Sequence, residues 1–340
     1  MDINRFFENV VDELHLGNKI TSLDRVSGGL THKMYKVFTD KGRYVVKLLN
    51  PNIMKRETAI ANFNRADELE EVLRQNHISA VYSIAFHGKK LQKIDDQYFY
   101  VYEWYDGKTL KDSEIKEENC QLIGEGLAQI HNIDLIYEQE ELEEKNIDWN
   151  FYINLAKEKK SPIYEILLEE IDILNDSMYK GNEAIHKLPK VKAICHNDMD
   201  PKNVMWIDSE FKLIDLECLT YKNPYLELYE LALCWSGCDR CKIDFSRFKV
   251  FFESYFANSR LDRNVNWEDL YYANNGRLEW LEYNIKRSLM IECDTKEEQE
   301  LGISEVKETM KYIVYYDKTK NDILHHIDVL IGDGKRKNNN

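Results

Sequence analysis

Residues 3 to 16 set Ile3, Phe6, Phe7, Val10, Val11 and Leu14 at three- and four-residue intervals, so the spacing predicts a leading amphipathic helix. From Ile20 the period changes to two. The stretch LDRVSGGLTHKMYKVFTDKGRYVVKLL alternates apolar and polar positions and is broken at Gly28-Gly29 and at Asp40-Lys41-Gly42, which predicts three antiparallel strands. After Pro51 the pattern turns helical from Lys55 to Gln75, carried by Ile60, Phe63, Leu69, Val72 and Leu73. Two further strands, Val81 to Phe86 and Tyr98 to Glu103, complete an expected five-stranded sheet.

Beyond Asp106-Gly107 the apolar spacing is mainly helical. Cys120 to Ile133 reads as a buried helix with His131 capping or packing near its end. The acidic run Glu138 to Lys145 reads as solvated helix, and further helix is expected within Phe151 to Tyr179. Period two returns once, in VKAICHNDMDPKNVMWIDSEFKLIDLE. This reads as an apolar entry (Val191 to Cys195), a polar loop (His196 to Asn203), a strand (Val204 to Ile207), a turn at Asp208-Ser209-Glu210 and a strand from Phe211 to Ile214. Helices are expected again at Phe245 to Phe256, Asn266 to Tyr272 and Arg277 to Leu289, while the final GDGKRKNNN has a disordered composition. The chain contains no internal repeats.

At 340 residues the chain is long enough for two lobes, each with its own core, and 43% apolar residues suffice to fill them. No apolar run approaches a membrane span, and MDINRFFENV lacks the basic and apolar segments of a signal peptide, so a cytoplasmic protein without a membrane partner is expected. The net charge of −15 argues against nucleic acid as a partner and suits a cationic ligand. Seven scattered cysteines do not form a disulfide framework, and Cys234, Cys238 and Cys241 read as partly buried thiols ahead of a zinc or redox site.

The period-two stretch near residue 200 carries the chemistry. It gathers His196, Asp198, Asn203 and Asp215 around one hairpin. An Asp five residues before an Asn can accept a hydroxyl proton while the amide oxygen turns to a metal, and Asp215 supplies an anionic metal ligand. This set suits phosphoryl transfer, in which a protein mainly positions a nucleotide, its Mg²⁺ and an acceptor. Upstream, Ser27-Gly28-Gly29 would let the backbone approach phosphate oxygens, and Lys47, 18 residues after Gly29 at the end of the third strand, would hold the phosphates. A carboxylate is expected on the following helix to pair with Lys47; Asp67 and Glu68 are best placed, Glu57 is third, and Glu68 is the choice.

His-x-Asp-x4-Asn followed by Ile-Asp resembles the catalytic and metal-binding segments of the aminoglycoside phosphotransferases and choline kinases. SGGLTHKMYKV is similar to the choline kinase pattern SGG-x-T-N-x-x-Y, with His32 at the Asn position, and Asn223 to Leu228 resembles Asn-Pro-x-x-Asp-Leu with Glu227 for Asp. The likeness covers Leu23 to Trp235 in ordered motifs. It implies an α+β, bilobal protein-kinase-like fold: an N-lobe (residues 1–105) of five antiparallel strands plus a helix, and a larger, mainly helical C-lobe (106–335). It further implies Tyr102 as gatekeeper, adenine contacts from the Glu103 carbonyl and the Tyr105 amide, ATP or GTP with Mg²⁺ on Asn203 and Asp215, and Asp198 as base. His196 would fix the loop, and Glu227 would brace it.

The implied activity is an O-phosphotransferase acting on a small, cationic molecule, an aminoglycoside or an amino alcohol such as choline. Trp235, Trp280, Tyr283, Glu279 and Glu282 are candidates for binding its amine. The alternatives are a neutral sugar or homoserine-like acceptor, or a nucleotide-binding pseudokinase scaffold. The Lys, Asp, Asn, Asp set argues against the scaffold, which has no need of a base and two metal ligands.

Overall fold

The computed structural model describes residues 2–26, 32–138, 142–291, 293 and 295–337. The chain divides into two compact units that interleave in sequence. The first comprises Met1–Ser113 with His196–Thr220, and the second Glu114–Cys195 with Tyr221–Asn340, so the division does not fall at one boundary after residue 105.

The first unit opens with α1 (Ile3–Glu13), capped by the Asp2 carboxylate on the amides of Asn4 and Arg5. A five-stranded antiparallel sheet follows, built from β1 (Ile20–Val26), β2 (Lys33–Thr39), β3 (Arg43–Leu48), β4 (Gln92–Ile94) and β5 (Gln97–Glu103) in the order β1-β2-β3-β5-β4. Phe6, Phe7, Val10 and Val11 of α1 pack with Val37, Val46, Phe99 and Val101 of the sheet. The Phe6 and Phe99 rings meet edge to face at 5.7 Å, and Phe7 lies 4.9 Å from Tyr35.

Because strand side chains alternate, Val46 and Leu48 turn into that core and Lys47 between them turns to the other face. The short helix α2 (Pro51–Met54), capped by Asn50, leads into α3 (Ala59–Gln75). Phe63 of α3 packs with Leu49 and Tyr100, and Asp67 hydrogen-bonds Tyr100.

The sheet has the expected five strands, but one is not where the pattern placed it. Val81 to Phe86 is not a sheet strand; the edge strand is β4. The reason is divided bonding. Val81 N–H bonds the Leu213 carbonyl, Ile84 N–H bonds Val101, and the amide and hydroxyl of Ser83 both donate to the buried Glu70 carboxylate. With its hydrogen bonds shared among three partners the segment cannot form a ladder.

The hairpin of the second half of the chain completes this unit. β6 (Lys108–Thr109) begins a three-stranded sheet that is finished much later in sequence. The second unit intervenes with α4 (Glu117–His131), α5 (Trp149–Glu158), α6 (Tyr164–Glu169), α7 (Ile171–Ile185) and the short strand β7 (Ala193–Cys195). The hairpin itself is β8 (Val204–Ile207) and β9 (Glu210–Leu213), and the sheet order is β6-β8-β9. Leu213 exchanges backbone hydrogen bonds with Ser79 and Val81 at 2.9 and 2.8 Å, which ties the hairpin to the segment ahead of β4.

The rest of the second unit is α8 (Pro224–Trp235), α9 (Phe245–Asn258), α10 (Trp267–Ala273), α11 (Gly276–Ser288) and α12 (Lys296–Lys337). α4 and α9 approach closely at Gly124, where a Cβ would collide with Ser254 Oγ and the Phe251 carbonyl. Of the acidic run Glu138 to Lys145, the described residues 138 and 142–145 are not helical: the Asn182 side chain bonds both the amide and the carbonyl of Lys145, giving that backbone a partner outside any helix. α12 runs 42 residues and continues into the tail whose composition reads as disordered. Among the described residues no helix is long and apolar enough to cross a membrane.

Two outcomes are expected. Phe7→Ala should lower stability by about 3–5 kcal/mol, read as a fall in the urea midpoint at unchanged m. Burial pushes the Asp67 carboxyl up to about 6, against the Tyr100 hydrogen bond, from its ordinary 3.8. Between roughly pH 4 and 6 the folded state therefore keeps a proton that the unfolded state has lost, and stability falls as pH rises through that window. Asp67→Asn should flatten this fall in urea midpoints measured across the same window.

Candidate active site

The site is built within the first unit around Lys47. Its side chain is buried (3% exposed), and its Nζ lies 2.5 Å from both Asp215 Oδ1 and Glu217 Oε2. Burial opposes the ammonium charge, but the charges of Glu217 and Asp215 outweigh it and hold the Lys47 pKa above its ordinary value. Asp215 follows β9 in the left-handed region at φ 63°, a conformation Asp tolerates better than most residues, and this turns the chain into the short helical turn that carries Glu217. Burial pushes the Glu217 carboxyl up, yet the His32 hydrogen bond and the Lys47 charge bring it down to about 2.

The loop before β8 supplies the second group of residues. Asn203 Nδ2 donates to the Asp198 carboxylate at 2.7 Å and to its carbonyl at 2.8 Å, and Ile214 N–H donates to the Asn203 carbonyl. Lys202 lies 3.0 Å from the other Asp198 oxygen and 3.4 Å from Asp200. Burial raises the Asp198 pKa and Lys202 works against it. His196 is fully buried; its Nδ1 accepts from the Asp198 amide at 3.3 Å, and its Nε2 has no partner among the described residues.

At the other end of β5, Glu103 pairs with Tyr44 and the Trp104 amide donates to Arg43, after which Tyr105 leaves the ladder. Asp106 closes this exit by accepting from Arg43 at 2.6 Å and from Trp104 Nε1 at 2.7 Å.

Lys47, Asp198, Asn203, Asp215, Glu103 and Tyr105 thus fall in one unit. Ser27, Gly28 and Gly29 lie outside the described residues. The carboxylate expected from α3 is replaced: Glu68 and Glu57 are exposed, Asp67 bonds Tyr100, and Lys47 pairs with Asp215 and Glu217. The buried acid of α3 is Glu70, which holds Ser83 and lies 3.3 Å from Lys90. Sequence reasoning passed over Lys202 as well, although a lysine between Asp198 and Asn203 is a visible signal.

In the second unit His131 is fully buried, with ring nitrogens 2.8 Å from Glu227 and 2.7 Å from the Tyr255 hydroxyl; Cys195 Sγ lies 3.7 Å from His131 Nε2. Of the residues considered for an amine, Trp235 is fully buried and belongs to the core. Trp280 and Tyr283 form an exposed pair at 5.6 Å, Glu279 pairs with Lys145, and Glu282 accepts from Tyr152. Cys238 is buried and burial pushes its thiol up to about 12; among the described residues Cys234, Cys238 and Cys241 do not gather into a metal-holding group.

The model of the phosphotransferase enzyme family matches residues 22–247. Curated protein sequences give no match. Among solved structures, a spectinomycin phosphotransferase in complex with ADP and spectinomycin is similar over 91% of this chain and 98% of its own, at 13% identity and a TM-score of 0.65. An amicoumacin kinase in complex with AMP-PNP and Ca²⁺ is similar over 94% of each chain, at 15% identity and a TM-score of 0.62. Choline kinase LicA from Streptococcus pneumoniae is similar over 92% of this chain and 99% of its own, at 17% identity and a TM-score of 0.58. The fold is the α+β kinase-like fold of these proteins, and with its family motifs spanning well over half its length the chain belongs to the phosphotransferase enzyme family and is a small-molecule kinase.

Proposed function

We propose that the protein transfers the γ-phosphoryl group of ATP or GTP to a hydroxyl of a small cationic molecule, an aminoglycoside or an amino alcohol such as choline. The observation that carries this reading is the buried Lys47, bridging Asp215 and Glu217 in the unit that also contains the Asp198–Asn203 pair. Lys47 holds the α- and β-phosphates, keeping Glu217 as its counter-charge and exchanging Asp215 for phosphate oxygens. Ser27, Gly28 and Gly29 are assigned to phosphate contact by sequence alone. The Glu103 carbonyl and Tyr105 amide hold the base of the nucleotide where the chain leaves β5.

Asp198 orients the acceptor hydroxyl and takes its proton. Its raised pKa makes it a better base than an exposed carboxylate, and Lys202 keeps it ionised. Asn203 spends its amide nitrogen on Asp198, so its Oδ1 is the atom left for a metal. That oxygen and the Asp215 carboxylate make a hard, all-oxygen donor set, which fits Mg²⁺. When bound, Mg²⁺ neutralises charge on the transferring phosphoryl group.

The nucleotide reading is supported by ADP and AMP-PNP in the spectinomycin phosphotransferase and amicoumacin kinase complexes. A cationic acceptor is supported by the net charge of −15.

The test is a coupled ATP-consumption screen over aminoglycosides, spectinomycin, choline, ethanolamine and neutral sugars. Acceptor-dependent turnover is expected with at least one cationic compound. Asp198→Asn should cut kcat by about 10²–10⁴-fold while nucleotide Kd stays within a few-fold. Nucleotide binding without turnover on any acceptor would replace the enzyme reading with a scaffold.

A further inference from the structure

His32 stands where the glycine segment meets β2, is 6% exposed, and has both ring nitrogens engaged. Its Nδ1 accepts from the Asn50 backbone amide at 3.0 Å. The acceptor role leaves that nitrogen without a proton, so the neutral ring carries its hydrogen on Nε2. Nε2 lies 3.1 Å from Glu217 Oε1 and donates to it. The other oxygen of Glu217 takes Lys47. A continuous series of contacts therefore runs from the backbone at the start of α2, through His32 and Glu217, to the ammonium and on to Asp215.

We propose that His32 is a positioning residue for nucleotide binding: by fixing Glu217 it holds Lys47 at the phosphates and keeps it from resting on Asp215 alone. The proposal rests on the phosphate-binding role given to Lys47 above. The physical case has three parts. The imidazole is rigid and is anchored on backbone, so it restrains Glu217 more firmly than a flexible side chain would. Glu217 is itself the counter-charge that Lys47 lacks from α3. With Glu217 released, the buried ammonium would have Asp215 as its one remaining carboxylate, and the same carboxylate would be drawn away from a metal.

The experiment measures MgATP affinity by calorimetry, steady-state KM and kcat, and the Mg²⁺ concentration giving half-maximal turnover. His32→Phe keeps the ring and removes both nitrogens. It should weaken MgATP binding about tenfold, the loss of one hydrogen bond to a charged group, and raise the Mg²⁺ requirement, with kcat within about threefold. His32→Asn retains a donor for Glu217 and should recover most of the affinity. In a Lys47→Met background His32→Phe should add no further loss. An additive effect there, or His32→Phe binding MgATP like the wild type, overturns the positioning role. Full nucleotide affinity in Lys47→Met alone would instead overturn the assignment of Lys47. Should His32→Phe not fold, Glu217→Gln reads the same link: about tenfold weaker binding supports it, and unchanged affinity overturns it.

Discussion

A lysine ammonium taken almost wholly out of water is the constraint on which the first unit depends. Its desolvation penalty is several kcal/mol, and it is offset when opposite charges lie at contact distance. Here the sheet supplies none of them. Strand alternation turns Lys47 away from the apolar core formed with α1, and its counter-charges, Asp215 and Glu217, arrive from 168 and 170 residues further along the chain. The hairpin must therefore pack with the N-terminal sheet for the lysine to remain charged. This accounts physically for a compact unit that takes His196–Thr220 out of the second half of the sequence.

Once the hairpin is fixed, the loop in front of it has little freedom. β8 and β9 set Asn203 and Ile214 side by side through a 3.0 Å backbone hydrogen bond, and the Asn203 amide in turn holds the Asp198 carboxylate. Asn197, Asp208 and Asp215 each take a positive φ at the bends of this segment. Asn and Asp are the non-glycine residues that enter that region at least cost, so the residue types at the bends permit the path that brings the candidate base and metal ligands together. The second unit has a buried polar network of its own, in which His131 is held between Glu227 and Tyr255. A fully buried imidazole with both nitrogens satisfied fixes the approach of α4, α8 and α9 more specifically than apolar packing alone.

Much of this was legible in the residues, because the signals were local. The alternation from β1 to β3, the helical face of α1 and the two strands around Asp208-Ser209 each follow from spacing within a dozen residues. The failures share the opposite property. Val81 to Phe86 has the composition of a strand, but its hydrogen bonds go to Leu213, Val101 and Glu70, and no local pattern reveals that division. Position along one helix favours Glu68 among several acids, whereas the pairing of Lys47 is decided by a turn far away in sequence. Trp235 and Trp280 look alike as aromatic residues of helices, yet one is sealed in the core and the other is exposed, a difference set by packing against elements the sequence does not order in space.

The Lys47 pairing also bears on how metal and nucleotide would interact. Where the counter-charge to a phosphate-binding lysine sits on a separate helix, the lysine and the metal carboxylate are held by different elements and can move independently. In this chain both partners of Lys47 lie two residues apart in one turn, and one of them, Asp215, is the candidate metal ligand. α3 is left with other work: Glu70 organises Ser83 and Lys90, and Asp67 meets Tyr100. A displacement of the turn carrying Asp215 and Glu217 moves both carboxylate partners of Lys47 together. The phosphate and metal contacts proposed for these residues would then be coupled through the one turn that carries both Asp215 and Glu217.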